Sequence, residues 1–390
     1  MTETIRLATR GSDLALRQTQ SVADALESRR RSVELVEVDT EGDRVRDELI
    51  HRLGRTGAFV RALDERVVDG TVDAAVHSMK DMPTEFPEDL VVAGVPERAA
   101  AGDLLVSPDG STLEELPSGA TVGTSSLRRK AQLLAARPDL EVRPLRGNVD
   151  TRLEKLLAPT LQAEHERRLE SGDGGGGSSD DSADDAGDGT TDEPGDDAGD
   201  GTTDGSNEGS SDGAKSDGLT AEEWFDGLSE LERGALERDV DDRYDAIVLA
   251  EAGLARSGLL DEVAFERLPA SFVPAPGQGA LAVTARDGDL AASLRRDLDH
   301  PRTRVETTVE RTVLATLGGG CVAPIGVHAV LQGAYVHTTV RVLAQDGTDE
   351  VAATRDLPVE RHPEAAGDLA DQLAAEGAAD LVDRAREEAR

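Results

Sequence analysis

The chain has 390 residues, and its 79 Asp and Glu against 42 Lys and Arg give it a formal net charge of −37. A surface of this sign repels nucleic acids and anionic membranes, so it disfavours proteins that bind either one through charge. The single cysteine excludes an internal disulfide. Without an apolar leader or a run of ~20 apolar residues, we expect a cytoplasmic protein that does not span a membrane.

The acidity is not confined to one tail. Residues 171–218 hold 15 acids and one base, so the rest of the chain keeps a net charge of −23. Only four of the basic residues are lysines. An acid-rich, lysine-poor composition is typical of a high-salt cytoplasm, where screening weakens the repulsion between like charges. We therefore expect a halophilic source.

Outside residues 171–218, apolar runs alternate with amphipathic segments, which predicts an α/β fold with a mostly parallel sheet. The predicted strands are, in chain order, IRLAT, VELVEV, AAVHS, LVVAGV, ATVGTS, LEVRPLR and YDAIVLAE. The predicted helices between them are SDLALRQTQSVADALESR, SLRRKAQLLAAR and, after the last strand, AGLARSGLL. Because LATRGSDLALRQTQ and VGTSSLRRKAQLL share one pattern, we expect two similar α/β domains facing one another.

Two further segments differ from this pattern. Residues 171–218 are almost entirely Gly, Ser, Thr and Asp, so we expect a disordered acidic insertion, and with its polar flanks we place it at about 159–238. The flanks themselves have polar helical patterns. After residue 301 a helix, then strands and one last helix (PEAAGDLADQLAAEGAADLVDRA) predict a small α+β domain.

Each Ser-to-helix turn could hold an anion, because N–H groups and the helix dipole both favour negative charge there. The candidate residues are Arg10 and Ser12 at the first turn and Thr124, Ser125, Ser126, Arg128 and Arg129 at the second. Arg146 and Arg152 follow in RPLRGNVDTRL, and arginine suits planar carboxylates. The alternative is that the serines only cap helices and the arginines are solvated.

Two other places could carry chemistry. Lys80 and Asp81 follow the strand AAVHS, at the edge of a parallel sheet where ligands bind, and Asp81 could move protons or stabilise a cation there; a surface ion pair is the alternative. Cys321 follows three glycines, which permit close approach of a ligand. It could carry a covalent group, although an inert buried thiol is the commoner case.

Seven stretches together resemble the porphobilinogen deaminase family, also called hydroxymethylbilane synthases. They occur in the order LATRGSDLALRQTQ, GAFVRALDERVVDGTVDAAVHSMKDMPTEFP, VGTSSLRRKAQL, RPLRGNVDTRLEKL, YDAIVLAEAGLARSGL, PAPGQGALAV and GGGCVAPIG. The resemblance implies three domains, the first two like the halves of periplasmic binding proteins with a hinged cleft, and the third a small α+β domain. We place them at 1–97 with 276–298, at 98–275, and at 302–390.

The resemblance also implies the reaction. Four porphobilinogen units are joined head to tail on a dipyrromethane cofactor, with loss of ammonia, and hydrolysis releases the linear tetrapyrrole. The cofactor would be a thioether of Cys321, and Asp81 would be the catalytic carboxylate. The other implied cofactor-binding residues are Lys80, Thr124, Ser125, Arg128, Arg129 and Arg146. The implied substrate-binding residues are Arg10, Ser12, Phe59, Arg152, Arg256 and Gln278.

One position departs from the family pattern. The family usually has a lysine where this chain has Thr56, and Arg52 or Arg55 could compensate for it. We expect a monomer that binds no metal. Two alternatives use the same residues: an α/β module that binds an anion or senses an effector without chemistry, and a cysteine-dependent acyl transferase, for which His328 is the nearby base.

Overall fold

The computed structural model describes residues 3–29, 31–38, 58–85, 87–173, 219–240, 242–320 and 323–388. These residues form two compact units, one made of 1–157 and 239–390 and the other of 158–238. The strands are β1 (Glu3–Thr9), β2 (Arg31–Glu37), β3 (Ala74–Ser78), β4 (Leu90–Gly94), β5 (Asp103–Val106), β6 (Thr121–Gly123), β7 (Glu141–Arg143), β8 (Ala246–Ala250), β9 (Phe265–Arg267), β10 (Leu281–Arg286), β11 (Ile325–Gln332), β12 (Tyr335–Leu343) and β13 (Glu350–Pro358). The helices are α1 (Asp13–Leu26), α2 (Ala58–Val68), α3 (Leu127–Ala136), α4 (Val149–Asp173), α5 (Ala221–Asp226), α6 (Glu230–Leu236), α7 (Glu251–Ser257), α8 (Asp289–Leu298), α9 (Pro301–Thr316), α10 (His362–Leu373) and α11 (Ala379–Glu388).

The larger unit contains two five-stranded sheets with matching strand order. The first runs β2-β1-β3-β10-β4 and the second β7-β6-β8-β5-β9. In each, the first three strands are parallel, while the fourth is antiparallel to both of its neighbours. The predicted mostly parallel sheet is therefore wrong: each sheet is mixed. The matching pairings agree with the predicted similarity of the two α/β regions.

Strand alternation gives the first sheet two apolar faces. Ile5 and Leu7 of β1 pack with α1 and α8 residues such as Val22 and Leu294, whereas Ala8 faces a second cluster with Leu63 of α2. The second sheet has its own core around β5, β6 and β8. Each sheet thus packs against its own apolar core.

The third sheet is an antiparallel meander, β11-β12-β13. The inward residues of α9 pack against it, at the helical spacing Val309, Val313 and Leu317. The last predicted helix is not continuous: Gly377 has a φ of +111°, which interrupts the helical backbone between α10 and α11. The α+β character of this region is as predicted.

The smaller unit shows where the predicted insertion range was too wide. Helix α4 extends to Asp173, and α5 and α6 each begin with a capping box, at Thr220–Glu223 and at Ser229–Glu232. Reciprocal caps satisfy the first N–H groups of these short helices, so they form despite their acidity. The helical patterns predicted for the flanks are confirmed. The predicted disordered range, 159–238, is wrong at both ends, because helices occupy its first and last parts. Residues 174–218 lie outside the described residues.

A buried carboxylate connects the parts of the larger unit. Glu310 of α9 is fully buried, and its oxygens accept from Arg98 Nη1 at 2.8 Å, from Gly277 N at 2.7 Å and from Ala329 N at 2.9 Å. A charge with this many donors is fully satisfied, which makes its burial tolerable. Helix α9 is therefore held to the segments before β5, before β10 and within β11.

Candidate functional site

The site begins at the end of β3, a buried strand between β1 and β10. A 3₁₀ turn, Met79–Asp81, follows it directly. Met79 is buried, and its N–H donates to Ala280 O at 3.0 Å, so the start of the turn is fixed to the chain entering β10. Lys80 is half-buried and Asp81 is exposed. The turn thus presents a lysine and a carboxylate at the carboxyl edge of the parallel strands.

Charges from the second sheet region act on this turn. Burial lowers the pKa of Lys80, the charge of Asp81 opposes the effect, and the charge of Arg129 adds to it. Burial likewise lowers the pKa of Arg152 to about 10; Arg129 adds to this shift, while Asp81 opposes it. Asp81 is therefore close enough to Lys80 and Arg152 for its charge to influence both.

We call Lys80, Arg129, Arg146 and Arg152 the cation cluster. The charge of Arg146 also lowers the pKa of Arg152. Arg146 Nη1 is a buried nitrogen with no hydrogen-bond partner among the described residues. An unsatisfied guanidinium nitrogen costs free energy unless a ligand accepts from it.

The loop that carries Arg146 is tightly built. Gly147 has a φ of +121°, and a Cβ there would lie 2.4 Å from Thr151 Cγ2. Arg152 Nε donates to Gly147 O at 2.8 Å, and Lys155 Nζ donates to Arg146 O at 3.3 Å. The first turns of α4 therefore hold the loop in place, and only glycine fits at its bend.

Asp103 organises the buried arginines of α3. Its Oδ2 accepts from Arg128 Nη2 at 2.8 Å, and its Oδ1 accepts from Arg129 Nη2 at 2.8 Å and from Arg129 Nε at 3.1 Å. Burial alone would raise the pKa of Asp103, but the two guanidiniums outweigh it and hold the pKa far below its usual range. Arg128 is only 4% exposed and also donates to Val273 O at 2.8 Å. Its side chain positions Asp103, while its buried Nε has no partner among the described residues, and the predicted contact with a cofactor stays a prediction.

Gln278, which the sequence predicts to bind substrate, makes its contacts inside the protein. It is 1% exposed, and its Nε2 donates to Ala101 O at 2.6 Å and to Asp103 Oδ1 at 2.8 Å. Its Oε1 accepts from Arg128 Nη2 at 3.4 Å. A side-chain amide used in this way connects the segment before β10 to the segment entering β5, and its contact with a substrate stays a prediction.

The hydroxyl groups at the helix starts make local contacts. Ser12 caps α1 through Ala15 N at 3.4 Å, and Ser126 caps α3 through Arg129 N at 3.4 Å. Ser125 Oγ donates to Leu145 O at 2.7 Å, and Thr124 Oγ1 accepts from Ser126 N at 3.2 Å. The capping alternative is therefore realised at Ser12 and Ser126, and a ligand at these turns would share the hydroxyls with the backbone.

Two predicted arginines lie on neighbouring elements. Arg10 directly follows β1, which is parallel to β3, so it lies at the same sheet edge as Lys80. Arg256, in the last turn of α7, donates through Nη2 to Gly279 O at 2.8 Å, and burial lowers its pKa. Four predicted residues lie outside the described part of the chain: Arg52, Arg55, Thr56 and Cys321. The side chain of Phe59 is likewise not described.

Sequence reasoning missed two residues that shape the site. Asp103 opens an otherwise apolar four-residue strand, and its charge was the available signal. Arg311 of α9 donates to the carbonyl oxygens of Met79, Met82 and Pro83. The sequence around Arg311 does not indicate this role, because its partners lie more than 200 residues earlier in the chain and meet it only in the folded protein.

The side chains fit a ligand with several carboxylates. Arg129 is paired with Asp103, which leaves Lys80, Arg146 and Arg152 as the positive groups of the cation cluster beside Asp81. A dipyrromethane bearing acetate and propionate groups has the complementary charge. Within the described ranges, no group of three or more His, Cys, Asp or Glu side chains is placed to hold a metal ion. No helix in those ranges is both long and apolar enough to cross a membrane.

Comparisons with known proteins agree on one family. Residues 5–164 and 231–293 match the model described as porphobilinogen deaminase, dipyromethane cofactor binding domain, and residues 305–376 match the porphobilinogen deaminase C-terminal domain. The residues between the two matched parts of the first model, 165–230, lie within the range predicted for the insertion, 159–238.

Curated relatives match over nearly the whole chain. A probable porphobilinogen deaminase of Halobacterium salinarum is 56% identical, covering 99% of both chains. A porphobilinogen deaminase of Desulforudis audaxviator is 35% identical, again covering 99% of both. Among solved structures, the ligand-binding component of an ABC-type import system from Staphylococcus aureus with zinc bound covers 80% of this chain and 73% of its own at 10% identity, but its TM-score of 0.29 is too low to bear on the fold.

Proposed function

This chain belongs to the porphobilinogen deaminase family and is a transferase of tetrapyrrole biosynthesis with a dipyrromethane cofactor, and from this premise we propose that it condenses porphobilinogen at Asp81. The halophilic relative agrees with the acidic composition, which supports an origin in a halophilic archaeon. Nothing in the comparisons supports a binding module without chemistry.

The cofactor would be held by a thioether to Cys321 and by cations for its carboxylates. We assign Lys80, Arg129 and Arg146 to this role, with Thr124 and Ser125 beside them. Arg128 would join them: its terminal nitrogens contact Asp103 and Val273 O, and its buried Nε has no partner among the described residues. When bound, the dipyrromethane supplies the pyrrole carbon to which new units are joined.

The substrate carboxylates would be bound by a second set of groups. We assign Arg10, Ser12, Arg152 and Arg256 to this role, with Phe59 against the pyrrole ring. Guanidinium groups bind carboxylates in a fixed, bidentate geometry, which orients the reacting carbon.

Asp81 would supply the electrostatic part of catalysis. When ammonia leaves porphobilinogen, positive charge develops on the pyrrole, and a carboxylate placed against the ring N–H stabilises it. Asp81 is exposed and lies beside half-buried cations, so it can face pyrroles whose carboxylates those cations hold. Lys80 would thus bind the cofactor and Arg152 the substrate, while Asp81 would stabilise the developing charge.

The three-domain arrangement belongs to the same proposal. Domain boundaries at 1–97 with 276–298, at 98–275 and at 302–390 place one sheet in each domain. A hinge between the first two domains would let a growing chain of pyrroles fit between them. We also propose that the enzyme is a cytoplasmic monomer that needs no metal.

The turn at the end of β3, with Asp81 beside Lys80 and Arg152, is the observation that carries the proposal. In purified enzyme given porphobilinogen, Asp81→Asn should release ammonia and tetrapyrrole at least ~100-fold more slowly than wild type, because loss of one stabilising group at a reacting centre costs about 10²–10³ in rate.

Asp89→Asn is the matched control, since Asp89 is an exposed carboxylate just before β4. It should retain the wild-type rate. A wild-type enzyme inert toward porphobilinogen would refute the substrate, and full turnover by Asp81→Asn would remove Asp81 from its role.

A further inference from the structure

Arg311 lies on α9 and makes its contacts far away in sequence, at the turn that carries Asp81. Its Nη1 lies 3.3 Å from Met79 O and 3.4 Å from Met82 O, and its Nη2 donates to Pro83 O. The three carbonyls lie on both sides of Lys80 and Asp81. One side chain therefore contacts the backbone before and after both functional residues.

The turn needs such support from outside. A single 3₁₀ turn has few hydrogen bonds of its own, and here Met82 N donates to Met79 O at 3.2 Å. The planar guanidinium can donate to several carbonyls at once, which a lysine cannot do in fixed geometry. Burial lowers the pKa of Arg311, but an arginine keeps its charge at neutral pH.

Arg311 itself is held on a fixed helix. The preceding residue, Glu310, binds Arg98, Gly277 N and Ala329 N, and Val309 and Val313 are buried in the core under the third sheet. The same helix ends at Thr316, five residues before Cys321. Arg311 thus joins the turn with Asp81 to the helix that leads into the Cys321 loop.

We propose that Arg311 is a positioning residue for Asp81, which fixes the carboxylate relative to the end of α9. It acts through the backbone of the turn and touches no substrate. The inference rests on the proposed role of Asp81 in porphobilinogen condensation. An imprecisely placed carboxylate would still leave the substrate carboxylates bound by the other cations, so catalysis should suffer more than binding.

The test compares Arg311→Gln and Arg311→Lys with Arg302→Gln in the full-length enzyme. Arg302 is the matched control because it lies on the same helix and donates to a backbone carbonyl, Leu331 O, at 3.1 Å, away from the turn. We expect Arg311→Gln to lower kcat about 10- to 100-fold with KM changed less than about threefold, as misplacement of a catalytic group predicts. Arg311→Lys should fall between Arg311→Gln and wild type, and Arg302→Gln should keep kcat.

A second measurement does not depend on turnover. Hydrogen exchange over residues 79–85 should be faster in Arg311→Gln than in wild type and unchanged in Arg302→Gln. Wild-type kcat and wild-type exchange in Arg311→Gln would overturn the proposal. If that variant does not fold, a wild-type kcat in Arg311→Lys would overturn it. A wild-type enzyme inert toward porphobilinogen would refute the proposed function alone, since the exchange result would still stand.

Discussion

At the scale of single residues, the site is defined by lysine and arginine side chains whose charged forms are destabilised by burial. Burial lowers the pKa of Lys80, Arg152 and Arg256, which means that their charged forms are disfavoured without a partner. Arg146 adds a buried nitrogen with no acceptor among the described residues. Carboxylates of a bound ligand would satisfy these groups, so the charges favour binding of an anion over an empty site.

Lys80 gives this account a pH dependence. Because its pKa is lowered, it loses its proton at a lower pH than the usual ~10.4 of lysine. Because Lys80 is assigned to the carboxylates of the cofactor, we expect turnover of porphobilinogen to fall as the pH increases through this lowered pKa. Arginine stays charged throughout, so Lys80→Arg should shift the fall to higher pH, whereas Lys130→Arg on α3 should not. An identical alkaline profile in wild type and Lys80→Arg would contradict the assignment.

The sequence predicts which residue types form the site, but it does not predict which groups pair with them in the folded protein. Arginine after a Ser-to-helix turn indicates an anion site, and the structure does bring Arg129 and Arg152 near Lys80, and Arg146 near Arg152. That Asp103 would bury Arg128 and Arg129 could not be predicted, because the strand and the helix that pair them meet only in the folded protein. The burial of Gln278 between the two sheets could not be predicted for the same reason.

At the scale of elements, the segment before β10 is the most constrained. Gly277 and Gly279 have φ of +76° and +85°, and a Cβ on Gly277 would lie 2.9 Å from Met79 Cγ. A Cβ on Gly279 would lie 2.5 Å from Ala99 O. These close approaches let Gln278 and Arg256 bond to the backbone here, which fixes the first sheet to the second.

Two glycine variants separate backbone strain from steric clash. Gly119 has a φ of +80°, and a Cβ added there would meet no described atom within 4 Å. Gly119→Ala should therefore lower the free energy of unfolding by about 1 kcal/mol, since alanine disfavours the left-handed backbone conformation. Gly279→Ala adds overpacking against Ala99 and Ala100, which should raise the loss by about 1–3 kcal/mol. Denaturant unfolding measures both, and equal losses in the free energy of unfolding would contradict this packing.

Many elements were predictable, but strand directions were not. The two strands that make the sheets mixed, β5 and β10, are not among the predicted strands, so the antiparallel pairings were missed with them. Buried strands such as β3 and β8 are apolar runs whichever way their neighbours point. The break at Gly377 was missed because the apolar period continues across it and only the backbone angle reveals it. The caps at Thr220 and Ser229, by contrast, follow from their Ser/Thr-to-Glu spacing.

At the scale of the whole molecule, net charge is the dominant property. With a net charge of −37, the folded chain repels itself, and this repulsion weakens as the Debye length falls from ~10 Å at ~0.1 M salt to ~3 Å at ~1 M. The family match to a Halobacterium relative fits a protein adapted to that condition.

The stability of the enzyme should therefore depend on salt. We expect Tm to rise by several degrees as NaCl increases from about 0.1 to about 2 M, with activity falling when salt is removed, because screening relieves the repulsion between carboxylates. Chloride is the appropriate salt, since sulfate would also stabilise by exclusion from the surface. A Tm that does not change with NaCl would show that the acidity serves another purpose.

The central claim is that this chain builds tetrapyrroles on a cofactor attached to Cys321. Intact-protein mass spectrometry of the folded, full-length enzyme tests it most directly, with Cys321→Ser as the control. We expect the wild-type mass to exceed that of the chain by two linked pyrrole units, with Ehrlich's reagent giving a colour, and the control to lack both. An unmodified wild-type protein, or the same adduct on Cys321→Ser, would contradict the account.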